Sequence, residues 1–159
     1  MGKRASRELS LQVLRKFRLI YGAVRQHFRE VEKTTGVSGS QLWILQEVGR
    51  SAGIGISELA ERLSIHQSTC SLLVEKLVAR GLIFKERSKV DQRRVGLNIS
   101  QQATKVLKNA PGPAEGVLPK TLLALPQEAL RALDESLSTV IQQLDIQDAG
   151  FADKPLADL

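Results

Sequence analysis

A mainly α-helical fold with one small β-hairpin is the class this sequence predicts, and three observations carry the prediction. Two long segments near the ends of the chain repeat apolar residues at 3, 4, 3, 4 spacing, the signature of helices with a continuous seam. Between them lie two short helical patterns separated by a three-residue turn. Two short strand-like runs then follow, around a tip rich in cations.

The first long helix runs from about Leu9 to Lys33, without a proline. Leu14, Phe17, Tyr21, Val24, Phe28 and Val31 form its seam, and Leu9, Val13 and Ile20 form a second stripe beside it. A helix with two apolar stripes serves two neighbours. "TTGVSGS" ends it, and Ser40 is the expected N-cap of "QLWILQEVGR". In the Gly-rich connector "SAGIGIS", Ile56 is the expected site of a very short strand. It lacks the G-x-G-x-x-G spacing of a dinucleotide loop.

Ser57 is the expected cap of "ELAERL", "SIH" turns the chain, and "QSTCSLLVEKLVARG" reads as a second helix closed by Gly81, with Lys76 and Arg80 in its last turns. "LIFKER" and "RVGLNIS" read as the strands of a hairpin with "SKVDQR" at its tip. Ser100 is placed to cap "QQATKVLKN", and Pro111, Pro113 and Pro119 must break or kink the helix there. In the last strong helix, "PQEALRALDESLSTVIQQL", Pro126 is expected at the first helical position, and Leu130, Leu133, Leu137, Val140 and Leu144 repeat the seam spacing. The acidic tail from about Gln147 is expected to be frayed.

Charge sharpens the picture. The formal net charge of +6 conceals an asymmetry: residues 1–110 hold 20 Lys/Arg against 9 Asp/Glu, and residues 111–159 hold 3 against 8. A basic region confined to one part of the molecule points to a polyanion partner. No apolar run approaches the roughly 18 residues that would span a bilayer, and no membrane partner is expected. The basic start is not followed by an uninterrupted apolar segment, so it does not read as a signal peptide. One cysteine offers no disulfide framework, which fits a reducing cytoplasm.

Helix, short turn, helix and two-stranded hairpin is the order of a winged helix-turn-helix, and individual residues support it. Ala60 is the small residue needed where the two helices cross. Ser64 stands in the tight turn where glycine is commonest. Leu59, Leu63, Ile65, Cys70, Leu73 and Leu77 have the spacing to fill the junction. The helix from Gln67 presents a small polar N-terminal face, Gln67, Ser68, Thr69 and Ser71, with Lys76 further along. Such residues reach base edges or phosphates when a helix enters the major groove. Capping alone is the competing explanation, strongest for Ser68.

The hairpin tip carries the most specific motif. Asp91, Arg93, Leu97, Ile99 and Ser100 follow the pattern D-x-R-x-x-x-V-x-L-T, with Leu, Ile and Ser as conservative replacements. Together with "ISELAERLSIHQSTCSLLVEKLVARGLI" this resembles the multiple-antibiotic-resistance regulator (MarR) family over most of the chain, least between Asn109 and Ala124. The resemblance implies a winged helix-turn-helix flanked by N- and C-terminal dimerisation helices: residues 1–36 as N-terminal dimerisation helix, 37–100 as DNA-binding domain, 101–146 as C-terminal dimerisation helices and 147–159 as acidic tail. It implies a homodimer held by Leu14, Phe17, Tyr21, Leu133, Leu137, Val140 and Leu144.

It also implies a transcriptional regulator, more often a repressor, that binds a pseudo-palindromic operator in double-stranded DNA. Arg93 would enter the minor groove, Asp91 would stiffen the tip, and Arg87, Lys89 and Arg94 would meet phosphate or sugar. Small phenolic or other aromatic acids are the effectors implied, with Tyr21, His27, Phe28 and Trp43 as pocket candidates; ordinary core and seam packing is the other explanation for these four. The sequence departs from the family at Leu72, where a polar or basic residue is frequent, at Ala103, where glycine is, and at the proline cluster, which points to a kinked or divided fifth helix.

The alternative class is a winged-helix module that binds protein and not DNA. An enzyme is the weakest option. His66 and Cys70 are four apart on one helix, as a Cys–His nucleophile would need, but the helix-turn-helix register buries Cys70. Some relatives sense organic peroxides through a cysteine near the start of the first helix, where this chain has none. With two histidines and no paired-cysteine spacing, neither a metal site nor a cofactor is expected.

Overall fold

The computed structural model describes residues 2–146 and 148–159. Its order is α1 (Lys3–Thr35), α2 (Gly39–Arg50), α3 (Ile56–Leu63), α4 (Gln67–Ala79), β1 (Ile83–Arg87), β2 (Val95–Ile99), α5 (Gln101–Asn109), α6 (Val117–Ala124) and α7 (Gln127–Gln143), followed by two short 3₁₀ helices, Ala149–Asp153 and Leu156–Asp158. This is the expected mainly α fold with one antiparallel hairpin.

The core lies in the middle of the chain. Leu42, Ile44 and Leu45 of α2, Leu59 of α3, Leu77 of α4 and Leu97 of β2 are fully buried together. α1 has 33 residues, about 50 Å of helix, yet buries only Val24, His27 and Val31 near its C-terminal end. Its remaining apolar stripe, from Leu9 through Phe17 to Tyr21, is exposed, and no residue of α7 is buried.

Local chemistry explains the boundaries. Gly36, at φ 71°, closes α1 in the left-handed conformation, which suits a residue without Cβ. Ser38, and not Ser40, caps α2. Ser38 and Gln41 form a reciprocal capping box, each side chain satisfying the other's backbone N–H, an arrangement Ser40 has no partner to make. α3 starts one residue before Ser57, with Gly55 at its N-cap, so Ile56 is helical and not a strand. The short bridge falls to Ile54, which pairs with Leu97. Gly53, at φ 85°, turns the connector so that its N–H donates to the Leu97 carbonyl at 2.8 Å.

The proline cluster divides the helix as expected: α5 ends at Asn109 and α6 begins at Val117. Pro126 is the N-cap residue of α7 and not its first helical one. The tail differs most from expectation. From Asp148 it is not frayed but turns back, and Pro155 is buried against the body of the protein.

Candidate nucleic-acid interface

The turn between α3 and α4 sets the angle of the second helix. Ser64 has φ 53°, the one non-glycine residue with positive φ among the described residues. Its N–H and that of Ile65 satisfy carbonyls at the end of α3. Ala60 is buried at the crossing, and Leu59, Leu63, Cys70, Leu73 and Leu77 fill the junction, with Ile65 half-buried beside them.

His66 caps α4: its Nδ1 accepts the Ser68 N–H at 3.3 Å and lies 2.7 Å from the Ser68 hydroxyl. The ring therefore faces solvent, while Cys70 is fully buried, so the two side chains do not form a nucleophile pair. Burial pushes the Cys70 thiol up to about 11, which keeps it protonated at neutral pH and disfavours the reactive thiolate.

The outward face of α4 carries Gln67, Ser68, Leu72, Glu75 and Lys76, with Thr69 and Ser71 half-buried at its edge. Leu72 is 66% exposed at the centre of that face. Glu75 would repel a polyanion, but it is paired with Lys85 of β1. Lys85 escaped sequence reasoning. The period-two alternation that buries Ile83 also turns Lys85 to the same side, towards α4.

The hairpin pairs Ile83 with Ile99 and Arg87 with Val95. The ladder is clamped to the body towards its tip end, because β2 runs so close to the connector that a Cβ on Gly96 would lie 2.8 Å from the backbone of Gly53. At the tip, the Ser88 hydroxyl accepts the N–H groups of Val90 and Asp91. The Asp91 carboxylate accepts the Arg93 N–H at 3.1 Å and lies 3.9 Å from Arg94 Nε. Asp91 thus braces the tip through the backbone of one arginine and the side chain of the next. Arg87, Lys89 and Arg93 are exposed and form no ion pair among the described residues.

The likeness to known proteins centres on the winged-helix segment, where the MarR family model matches residues 35–94. Over that segment the chain is similar to the MarR family. It is 22% identical over 123 residues to the HTH-type transcriptional repressor MdtR of Bacillus subtilis, covering 77% of this chain and 76% of that one. It is 23% identical over 130 residues to the HTH-type transcriptional regulator MgrA of Staphylococcus aureus, covering 79% and 87%.

Among solved structures, the S. aureus MepR–DNA complex aligns with TM-score 0.56 at 17% identity, covering 81% of this chain and 94% of that one. A MarR family protein from Bacillus stearothermophilus aligns with TM-score 0.53 at 18% identity, covering 92% and 99%. These likenesses show the MarR fold.

The four pocket candidates separate. Phe28 and Trp43 line a crevice between α1, α2 and α6, where a cavity of about 40 Å³ remains. Tyr21 and Phe28 line an open groove along the outer face of α1. His27 is buried and lines neither. No helix among the described residues is long and apolar enough to cross a membrane, and no group of three or more His, Cys, Asp or Glu among them is gathered as a metal site.

Proposed function

We propose that the protein regulates transcription by binding double-stranded DNA as a homodimer. One α4 enters each major groove, and each wing reaches the neighbouring minor groove at a pseudo-palindromic operator. The observation that carries this reading is the joint surface of α4 and the wing. Two of its three acids are engaged, Glu75 by Lys85 and Asp91 by Arg94, with Glu86 exposed, while Arg87, Lys89 and Arg93 of the wing and Lys76, Gln67 and Ser68 of α4 are exposed.

The MepR complex and a cysteine variant of Escherichia coli MarR complexed with operator DNA, which aligns with TM-score 0.53 at 17% identity, support the reading by shared fold. The exposed seams of α1 and α7 support a dimer, because a contiguous apolar surface of that length calls for a partner. Two-fold symmetry then spaces the half-sites by about one helical turn or a multiple of it. Occupation of a promoter blocks polymerase, which makes repression the default outcome. A small aromatic or phenolic effector would act through the crevice beside Phe28 and Trp43, by differential affinity for two dimer states.

The exposed Leu72 favours a second reading, a winged helix that docks protein. On the first reading its side chain meets a thymine methyl. Gel shift with the gene's upstream DNA, titrated with salt, separates the two. A regulator binds specifically and loses affinity steeply as salt rises. Arg93→Ala should weaken binding across all sequences and lower the salt slope by about 1, leaving the dimer intact. Absence of specific binding at any moderate salt rejects the regulator reading, and wild-type behaviour of Arg93→Ala rejects the wing assignment.

A further inference from the structure

The crevice between α1, α2 and α6 is closed by residues 155–157 of the same chain. Leu156 and Ala157 form one wall of it, opposite Phe28 and Trp43, and Pro155 is buried beneath them. The approach is close: a Cβ built on Gly39 would lie 2.4 Å from Phe28 and 3.3 Å from the Ala157 Cβ.

A polar latch accompanies the apolar fit. Ser40, released from capping by Ser38, is buried, and its hydroxyl donates to the Asp158 carboxylate at 3.1 and 3.3 Å. Upstream, the Asp153 carbonyl accepts the N–H of His66, the N-cap of α4, at 3.0 Å. Asp153 shares a surface hollow there with Ser64 and Gln67.

We infer that residues 148–159 are an intramolecular ligand of this crevice, one that competes with other occupants and, while docked, opposes DNA binding. The first part follows from space. The residual cavity of about 40 Å³ holds a water or two, whereas pockets for small molecules measure about 300–1,000 Å³. An occupant must therefore displace Leu156 and Ala157. The segment is tethered, so its effective concentration is of millimolar order, and a competitor's apparent affinity falls by the fraction of molecules with the crevice open.

The second part rests on the regulator reading. Docking sets Asp153 beside Gln67, at the end of α4 that faces DNA, where a carboxylate repels phosphate. It also ties the helix cap to the tail. The chemistry of the segment defines its competitors: a compact apolar body with a carboxylate placed to accept from Ser40.

Trp43, the only tryptophan in the sequence, reports docking without DNA. In a chain ending at Ile146, Trp43 emission should move to longer wavelength and its quenching by acrylamide should rise. The same changes are expected, more weakly, for Leu156→Ser in the full chain, which removes no backbone. A synthetic peptide of residues 148–159, added to the shortened chain at millimolar concentration, should reverse them. The shortened chain should bind DNA about 5-fold or more tightly than the full one, and the peptide should cancel the gain.

Unchanged Trp43 emission and quenching in both variants overturns the docking. Equal DNA affinities alongside a newly exposed Trp43 overturn the effect on DNA. If neither chain binds DNA, the regulator reading and the effect on DNA fall together, and Trp43 still decides the docking.

Discussion

The winged helix and the two seam helices use similar apolar residues to opposite ends. From Val37 to Ala103, leucines and valines from α2, α3, α4 and the hairpin converge with Ala103 of α5, and many are completely buried. The outer part of α1 and the whole of α7 carry equally regular apolar stripes and bury almost none of them. Regular spacing specifies a helix and its apolar side; it does not specify whether the partner is in the same chain. The winged helix satisfies itself, and the seams leave their apolar sides open.

The strongest way to break this contrast is to charge the seams. Phe17→Glu combined with Leu137→Glu should convert a dimer into a folded monomer in sedimentation experiments. DNA affinity should fall by about 10²–10⁴ as the second half-site is lost. Retention of the dimer would assign the seams another role.

Matched truncations sharpen the contrast next. Leu77→Ala, in the closed core, should cost about 2–5 kcal/mol at any protein concentration. Val140→Ala, on α7, should lower the melting temperature most in dilute samples, because its loss acts through assembly. Equal concentration dependence in the two variants would erase the distinction. The smallest effect belongs to the turn. Ser64→Gly should raise stability by up to about 1 kcal/mol in denaturant unfolding, by relieving the left-handed backbone at φ 53°.

Much of this organisation is legible in the sequence, because it is written in short-range patterns. The seam of α1, the small residue at Ala60, the special turn at Ser64, the cap at Ser100 and the break at the prolines each depend on neighbours within a few positions. Expectation and structure part where local options compete. Ser38 and Ser40 both offer a hydroxyl before α2, and only the reciprocal partner Gln41 decides between them. Ile54 and Ile56 are equally apolar, and the left-handed Gly53 decides which lies beside Leu97.

The return of the tail was illegible for a different reason. "DAGFADKPLADL" has no helical or strand period, and its fit depends on Ser40, Trp43 and His66, more than 80 residues away in sequence. The pairing of Glu75 with Lys85 was missed similarly. Each residue looks like ordinary surface charge until the hairpin is folded onto α4.

The contact between Gly53 and Gly96 has a consequence for how operators can vary. It clamps the wing to the body that also holds α4, so the two prongs of each reader keep one fixed span. On the proposed reading, a base-pair insertion within a half-site meets a tool that cannot stretch, whereas one between half-sites is absorbed where the protomers join. Tolerance to insertion should therefore be uneven along the operator, and a side chain at position 96 would retune the grip of a single prong without touching the dimer.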